Sequence, residues 1–146
     1  MKTIKKTIKI EAPKEKVWNV LLEDDYNRIW MAEFMEGSHA KTDWIVGHKV
    51  RFLDNKNNGI VGKIAAKQPY DLIEIVYDGE VKNGEDDFES DSAKAMKGAK
   101  ENYYLSEDNG TTTLSVESDM DERHFDMMSA AWDKALEKID ELAISV

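Results

Sequence analysis

Apolar and polar positions alternate from Thr3 to Glu11, with Ile4, Ile8 and Ile10 set among lysines, and this predicts a half-buried strand. At Ala12-Pro13 the period changes. Val17, Val20 and Leu21 recur at helical spacing, with Trp18 and Leu22 beside them, so the helix has a wide stripe that packs on more than one neighbour. Pro13 starts this helix: its fixed φ suits a first turn, and its missing N–H is one that a first turn leaves unpaired. Glu23–Asp25 interrupt the stripe, and Asp24 or Asp25 is expected to cap a second short helix over Tyr26–Met31. Trp18 is read as a structural residue sealing the corner between strand and helix pair.

Gly37 closes the helical region, and a run of strands follows. His48–Asp54 carries Val50 and Phe52 two apart. Ile60–Ala66 sets Ile60, Gly62 and Ile64 on one face, and Leu72–Tyr77 does the same with Ile73, Ile75 and Tyr77. Asn102–Ser106 and Thr112–Ser118 complete the set. Asn58-Gly59 and Asn109-Gly110 predict tight type I′ hairpins, and Pro69-Tyr70-Asp71 another turn. Residues 80–98 form a long polar segment, expected to be an extended loop or to hold one short helix around Ser92–Met96. The last element is a helix with Asp119 as its cap and Glu122 completing a capping box. Its stripe runs through Phe125, Met128, Trp132, Ala135, Ile139 and Leu142.

The order is thus strand, two short helices, a meander of about six strands and one long helix. The economical packing is an α+β fold, a curved antiparallel β-sheet wrapped around the C-terminal helix, because each has one apolar face that needs the other. Nothing divides the chain, and residues 1–146 are expected to form a single domain.

Charge and composition narrow the partners. The net charge of -10 repels a polyanion, so no nucleic acid partner is expected. No apolar run is long enough for a membrane span, and no signal-peptide pattern is present, so the expected location is cytoplasmic. The absence of cysteine removes disulfides, thiolate nucleophiles and thiolate metal ligands.

The whole pattern resembles the helix-grip fold of the START/Bet v 1-like superfamily and, within it, the family of activator of Hsp90 ATPase homologues. The stretches that carry the likeness are IKIEAPKEKVWNVL (8–21), RIW (28–30), VGHKVRF (46–52), GKIAAKQPYDLIEIVY (62–77), NGTTTLSVES and AAWDKALEKIDEL. Two departures stand out: Ala131 lies where the family often has Gly before the closing Trp, and the segment 80–98 is longer and more acidic. The resemblance implies a cavity between sheet and long helix. Superfamily members bind lipids, hormones or polyketides, a few catalyse cyclisation or hydrolysis, and the name-giving members bind Hsp90.

The aromatic set fits such a cavity. Trp30, Trp44, Phe52, Tyr77, Tyr103, Phe125 and Trp132 are expected to line it, with Met128 and Met31 beside them and Ile64 and Ile75 on the sheet. Tyr hydroxyls and His48 would supply the polar tips. Catalytic and metal constellations are lacking. His124 with Asp121 gives only two converging ligands, and DNKNNG (54–59) departs from a calcium loop at its third and twelfth positions. No phosphate loop or nucleophile elbow is visible, and no cofactor is expected. The reading is therefore non-catalytic binding of a small, largely apolar molecule. The alternatives are a protein-interaction module with a chaperone-like partner, for which Asp86, Asp87 and Asp91 would be a docking strip, and a cyclase- or hydrolase-like enzyme using His48 with Tyr77 or Tyr103.

Overall fold

In the computed structural model, which describes residues 1–145, an antiparallel sheet of eight strands curls around one long C-terminal helix. In chain order the elements are β1 (Lys2–Ile10), α1 (Lys14–Leu22), α2 (Asp24–Met31), β2 (His39–Lys41), β3 (Lys49–Leu53), β4 (Gly59–Gln68), β5 (Leu72–Lys82), β6 (Glu85–Asp87), α3 (Asp91–Met96), β7 (Lys100–Asp108), β8 (Thr111–Met120) and α4 (Phe125–Ser145). The sheet order is β1-β8-β7-β5-β4-β3-β2, and β6 pairs with the far end of β5. No described helix is long and apolar enough to cross a membrane.

Helix α4 lays Trp132, Ala135, Leu136, Ile139 and Ala143 into the core. Ala135 and Ala143 are fully buried, and such small residues let the helix approach its neighbours closely. The helix pair is fastened by buried side chains. Trp30 Nε1 donates to the Val20 carbonyl at 3.0 Å, while Asn27 donates to the Leu21 carbonyl at 3.2 Å and accepts the Ala40 N–H at 2.8 Å. One buried amide therefore ties α1, α2 and β2 together, with both ends of its dipole satisfied. Trp18 is buried at the corner, edge-on to Tyr70, the structural position expected of it.

Several local expectations are corrected. Pro13 occupies the cap position of α1 with an extended ψ of 153° rather than the first helical turn, and Glu23, not Asp24 or Asp25, precedes α2. Asp119 lies within β8, where its carboxylate accepts from Thr3 Oγ1 at 2.6 Å and the Lys100 N–H at 2.9 Å. With Asp119 engaged across the sheet, Asp121 takes the turn before α4 and accepts the His124 N–H at 2.8 Å. Asn109-Gly110 forms the expected turn with φ of 51° and 80°, but Asn58-Gly59 does not. There the connection runs over residues 54–58, the positive φ falls on Asn57, and Gly59 already begins β4. The short strand β2 has too few residues to show a period.

The segment 80–98 holds the expected short helix, α3, but the part before it is a hairpin rather than a loop. Strand β5 continues to Lys82, Asn83-Gly84 turns with φ of 53° and 82°, and β6 and α3 follow. Two of its acidic residues, Asp86 and Asp87, hold structure together. Asp87 accepts from the Glu89 and Ser90 N–H groups and pairs with Lys82 at 2.7 Å, while Ser90 caps α3. Asp86 receives Arg51 through Nε and Nη2, both at 2.8 Å, and Lys49 at 2.9 Å, which joins β6 to β3 across two intervening strands.

The two cations, Arg51 foremost, hold the Asp86 carboxyl down to about 2 from an ordinary 3.8. A depressed carboxyl contributes stability that is present above its unfolded pKa and lost as pH falls through the folded one. Asp86→Asn is therefore expected to cost about 2 kcal/mol at pH 7 and progressively less between pH 4 and 2. Urea unfolding of both proteins at pH 7 and pH 2.5 checks this, and an equal difference at the two pH values would refute it.

Candidate functional site

Between the open side of the sheet and α4 lies a cleft of about 560 Å³. Four elements build its walls. Trp30 and Met31 come from α2, and Phe34 and Met35 from the turn after it. Met127, Met128 and Trp132 come from α4, and Met96 from α3. The sheet supplies Phe52, Ile60, Val81 and Met120. Every methionine except Met1 lines this space. Trp132 anchors the apolar end, its ring 4.8 Å from Phe34, 6.0 Å from Tyr103 and 6.2 Å from Trp30.

The floor is polar and buried. Glu101 on β7 is 8% exposed. Tyr77 donates its hydroxyl to Glu101 Oε1, and Tyr103 donates to Oε2 at 2.5 Å. Strand geometry explains the cluster. Glu101 and Tyr103 are two apart on β7 and share a face, and Tyr77 projects from the same face of the neighbouring β5. Ser118 of β8 stands opposite Glu101 in the register and also lines the cleft. Burial pushes the Glu101 carboxyl above its ordinary range against the opposing pull of the two hydroxyls. Burial, and then the neighbouring Glu101 charge, pushes both tyrosine hydroxyls well above 10, so they remain protonated donors.

The rim adds Asp54, Glu80, Lys82, Asp121 and His124. Lys82 is held by Asp87, and His124 Nδ1 lies 2.9 Å from Asp121. Among the described residues no group of three or more metal-ligating side chains converges.

Of the residues expected at the site, the structure brings Trp30, Phe52, Tyr77, Tyr103, Met128 and Trp132 together around the cleft. The others lie elsewhere. Ile64 and Ile75 are wholly buried in the core beneath it. Trp44 borders a separate void of about 10 Å³ and donates through Nε1 to the Leu22 carbonyl. Phe125 sits at the start of α4 with the Lys2 ammonium 5.2 Å from its ring centre. His48 is on the surface, 2.7 Å from Asp43, and cannot act with Tyr77 or Tyr103. Glu101 was the residue that periodicity could have found. It shares strand parity with Tyr103 and Leu105, so a carboxylate stands on a face that is otherwise apolar.

Comparison with known proteins places this geometry in context. The family model described as Activator of Hsp90 ATPase homolog 1-like protein matches residues 11–143. Protein MLL2253 from Mesorhizobium loti has a similar structure, with a TM-score of 0.77 at 15% identity over 99% of this chain and 98% of that one. The Aha1 dimer from Colwellia psychrerythraea gives 0.70 at 15% identity, with 97% and 95% covered. The AHSA1-like protein from Aeromonas hydrophila gives 0.66 at 16% identity, with 97% and 92% covered. No curated protein matches the chain.

Proposed function

We propose that this chain, which belongs to the Activator of Hsp90 ATPase homolog 1-like family, binds a small, largely apolar molecule in the cleft between its sheet and α4, without catalysis. The observation that carries this reading is the cleft itself: about 560 Å³, walled by methionines and aromatic rings, with one polar cluster at its floor. Apolar walls with few convergent polar groups are the usual make-up of a small-molecule site. Methionine walls conform to varied apolar shapes.

The test narrows the cleft from two sides. Met96→Trp with Met128→Trp adds bulk from α3 and α4 at positions that line the cleft and stand outside the tight core. N-phenyl-1-naphthylamine, a neutral apolar probe whose emission rises on burial, is expected to bind the native protein saturably. The double variant should bind it at least about tenfold more weakly, a loss of about 1.4 kcal/mol, with its thermal midpoint little changed. Equal binding by both proteins would place the site elsewhere.

Docking of a chaperone-like protein partner is a second reading, favoured by the exposure of Met35 and Met127 at the mouth of the cleft. The acidic segment lends it little support, because Asp86 and Asp87 are already paired with Lys49, Arg51 and Lys82.

A further inference from the structure

The floor of the cleft has more acceptors than donors: the Ser118 hydroxyl can donate once, against the Glu101 carboxylate and two tyrosine oxygens that accept. Both tyrosine hydroxyls spend their protons on Glu101, so toward the cleft they present lone pairs. The Glu101 carboxylate has about four acceptor directions, and the tyrosines use two. Among the described residues no lysine, arginine or histidine forms an ion pair with Glu101. A buried carboxylate without a cation is costly; the two hydroxyls offset part of that cost, and a bound positive charge would offset more.

The surroundings point the same way. Along the cleft, Asp121 is met by His124, Glu80 accepts from Ser92 and lies 3.8 Å from Lys82, and Asp54 has no cation within an ion-pair distance among the described residues, while Lys82 is held most closely by Asp87, so no basic group of the lining is left over for the floor. The rings of Trp30, Tyr103 and Trp132 meet pairwise at centroid distances of 6.0–6.4 Å beside the floor. A carboxylate-headed ligand would set one anion against another.

We infer that the molecule held here carries a primary ammonium group on an apolar body, with the head donating to Glu101 and the tyrosine oxygens and the body lying among the methionines. This rests on the reading of the cleft as a ligand site and names the chemical class that the site selects. An ammonium has three donors and no acceptor, which complements a floor of acceptors.

Three probes of one length separate the two claims: decylammonium, decanol and decanoate, titrated calorimetrically at pH 7 and physiological ionic strength, where contributions from the protein's general negative charge are screened. The expected order of affinity is decylammonium, then decanol, then decanoate, with the first preferred over the second by about tenfold or more, as a charge-assisted hydrogen bond provides. In Glu101→Gln, which keeps the shape of the side chain, that preference should shrink to about twofold or less, with decylammonium weakened more than decanol. Equal binding of decanol and decylammonium to the native protein, or a preference that survives in Glu101→Gln, overturns the ammonium assignment and leaves the apolar site standing. Failure of all three to bind overturns both. Where Glu101→Gln does not fold, Glu101→Asp, which draws the carboxylate back from the floor, takes its place, and an undiminished ammonium preference there overturns the assignment.

Discussion

Replacing Trp132 with alanine is expected to destabilise the protein by about 3–5 kcal/mol, the range for removing a large aromatic side chain from a packed interior. Trp132 is 2% exposed, and its ring meets those of Phe34, Trp30 and Tyr103. It therefore joins α4 to α2, to the turn that follows it and to β7. Its loss removes buried apolar area, opens a void and abolishes three aromatic pairs, each worth about 0.5–1.5 kcal/mol beyond burial. The space left would run into the existing cleft, so water could enter it, which moderates the cavity cost. Trp132→Phe should retain part of these contacts and cost less than half as much. Urea denaturation followed by circular dichroism measures both. A cost below about 1 kcal/mol for the alanine variant would show that α4 is held elsewhere along its length.

Gly59→Ala is expected to cost about 3 kcal/mol or more, a large effect for one methyl group. Gly59 has no positive φ, so its requirement is space rather than backbone conformation. A Cβ there would stand 1.7 Å from the Phe52 carbonyl oxygen and 2.8 Å from its carbon. Both are backbone atoms of the paired strand β3, so relief requires moving the strand and with it the Phe52 side chain that lines the cleft. The substitution should lower both stability and apolar-probe affinity. Gly110→Ala is the contrast: a Cβ there meets no atom within 4 Å, and its cost comes from the φ of 80° alone. A smaller loss at Gly59 than at Gly110 would contradict the steric account.

The long elements were legible because their periods are long. The stripe from Met128 to Leu142 and the alternation Ile73-Ile75-Tyr77 each repeat often enough to exclude the other period, and they fix an amphipathic helix facing a half-buried sheet. The turns were legible only in part. Asn83-Gly84 carries the same signal as Asn109-Gly110, yet the acidic residues around it hid a hairpin, since charge reads as solvation when the cations that meet it lie over 30 positions away on Lys49 and Arg51. Asn58-Gly59 carries the signal and forms no such turn, because Gly59 is already paired with Leu53 and Val81 in the sheet. At the site, aromatic residues announced themselves, but parity alone could not tell which lay above the core and which within it. Ile75 stands opposite both Ile64 and Glu101 in the register, yet Ile64 and Ile75 are wholly buried and do not line the cleft. Glu101 was invisible to residue type, because a carboxylate is ordinarily surface until a fold buries it.

The concentration of methionine in the cleft gives the site a chemical vulnerability. Thioethers are oxidised to sulfoxides, each of which replaces a pliant apolar side chain with a polar one. Met35 and Met127, 57% and 62% exposed, stand where an oxidant arrives first, and Met31, only 7% exposed, lies deepest. Oxidative damage would then advance inward from the mouth, stripping the walls of their grip on an apolar body while the tyrosine–carboxylate floor stayed chemically intact.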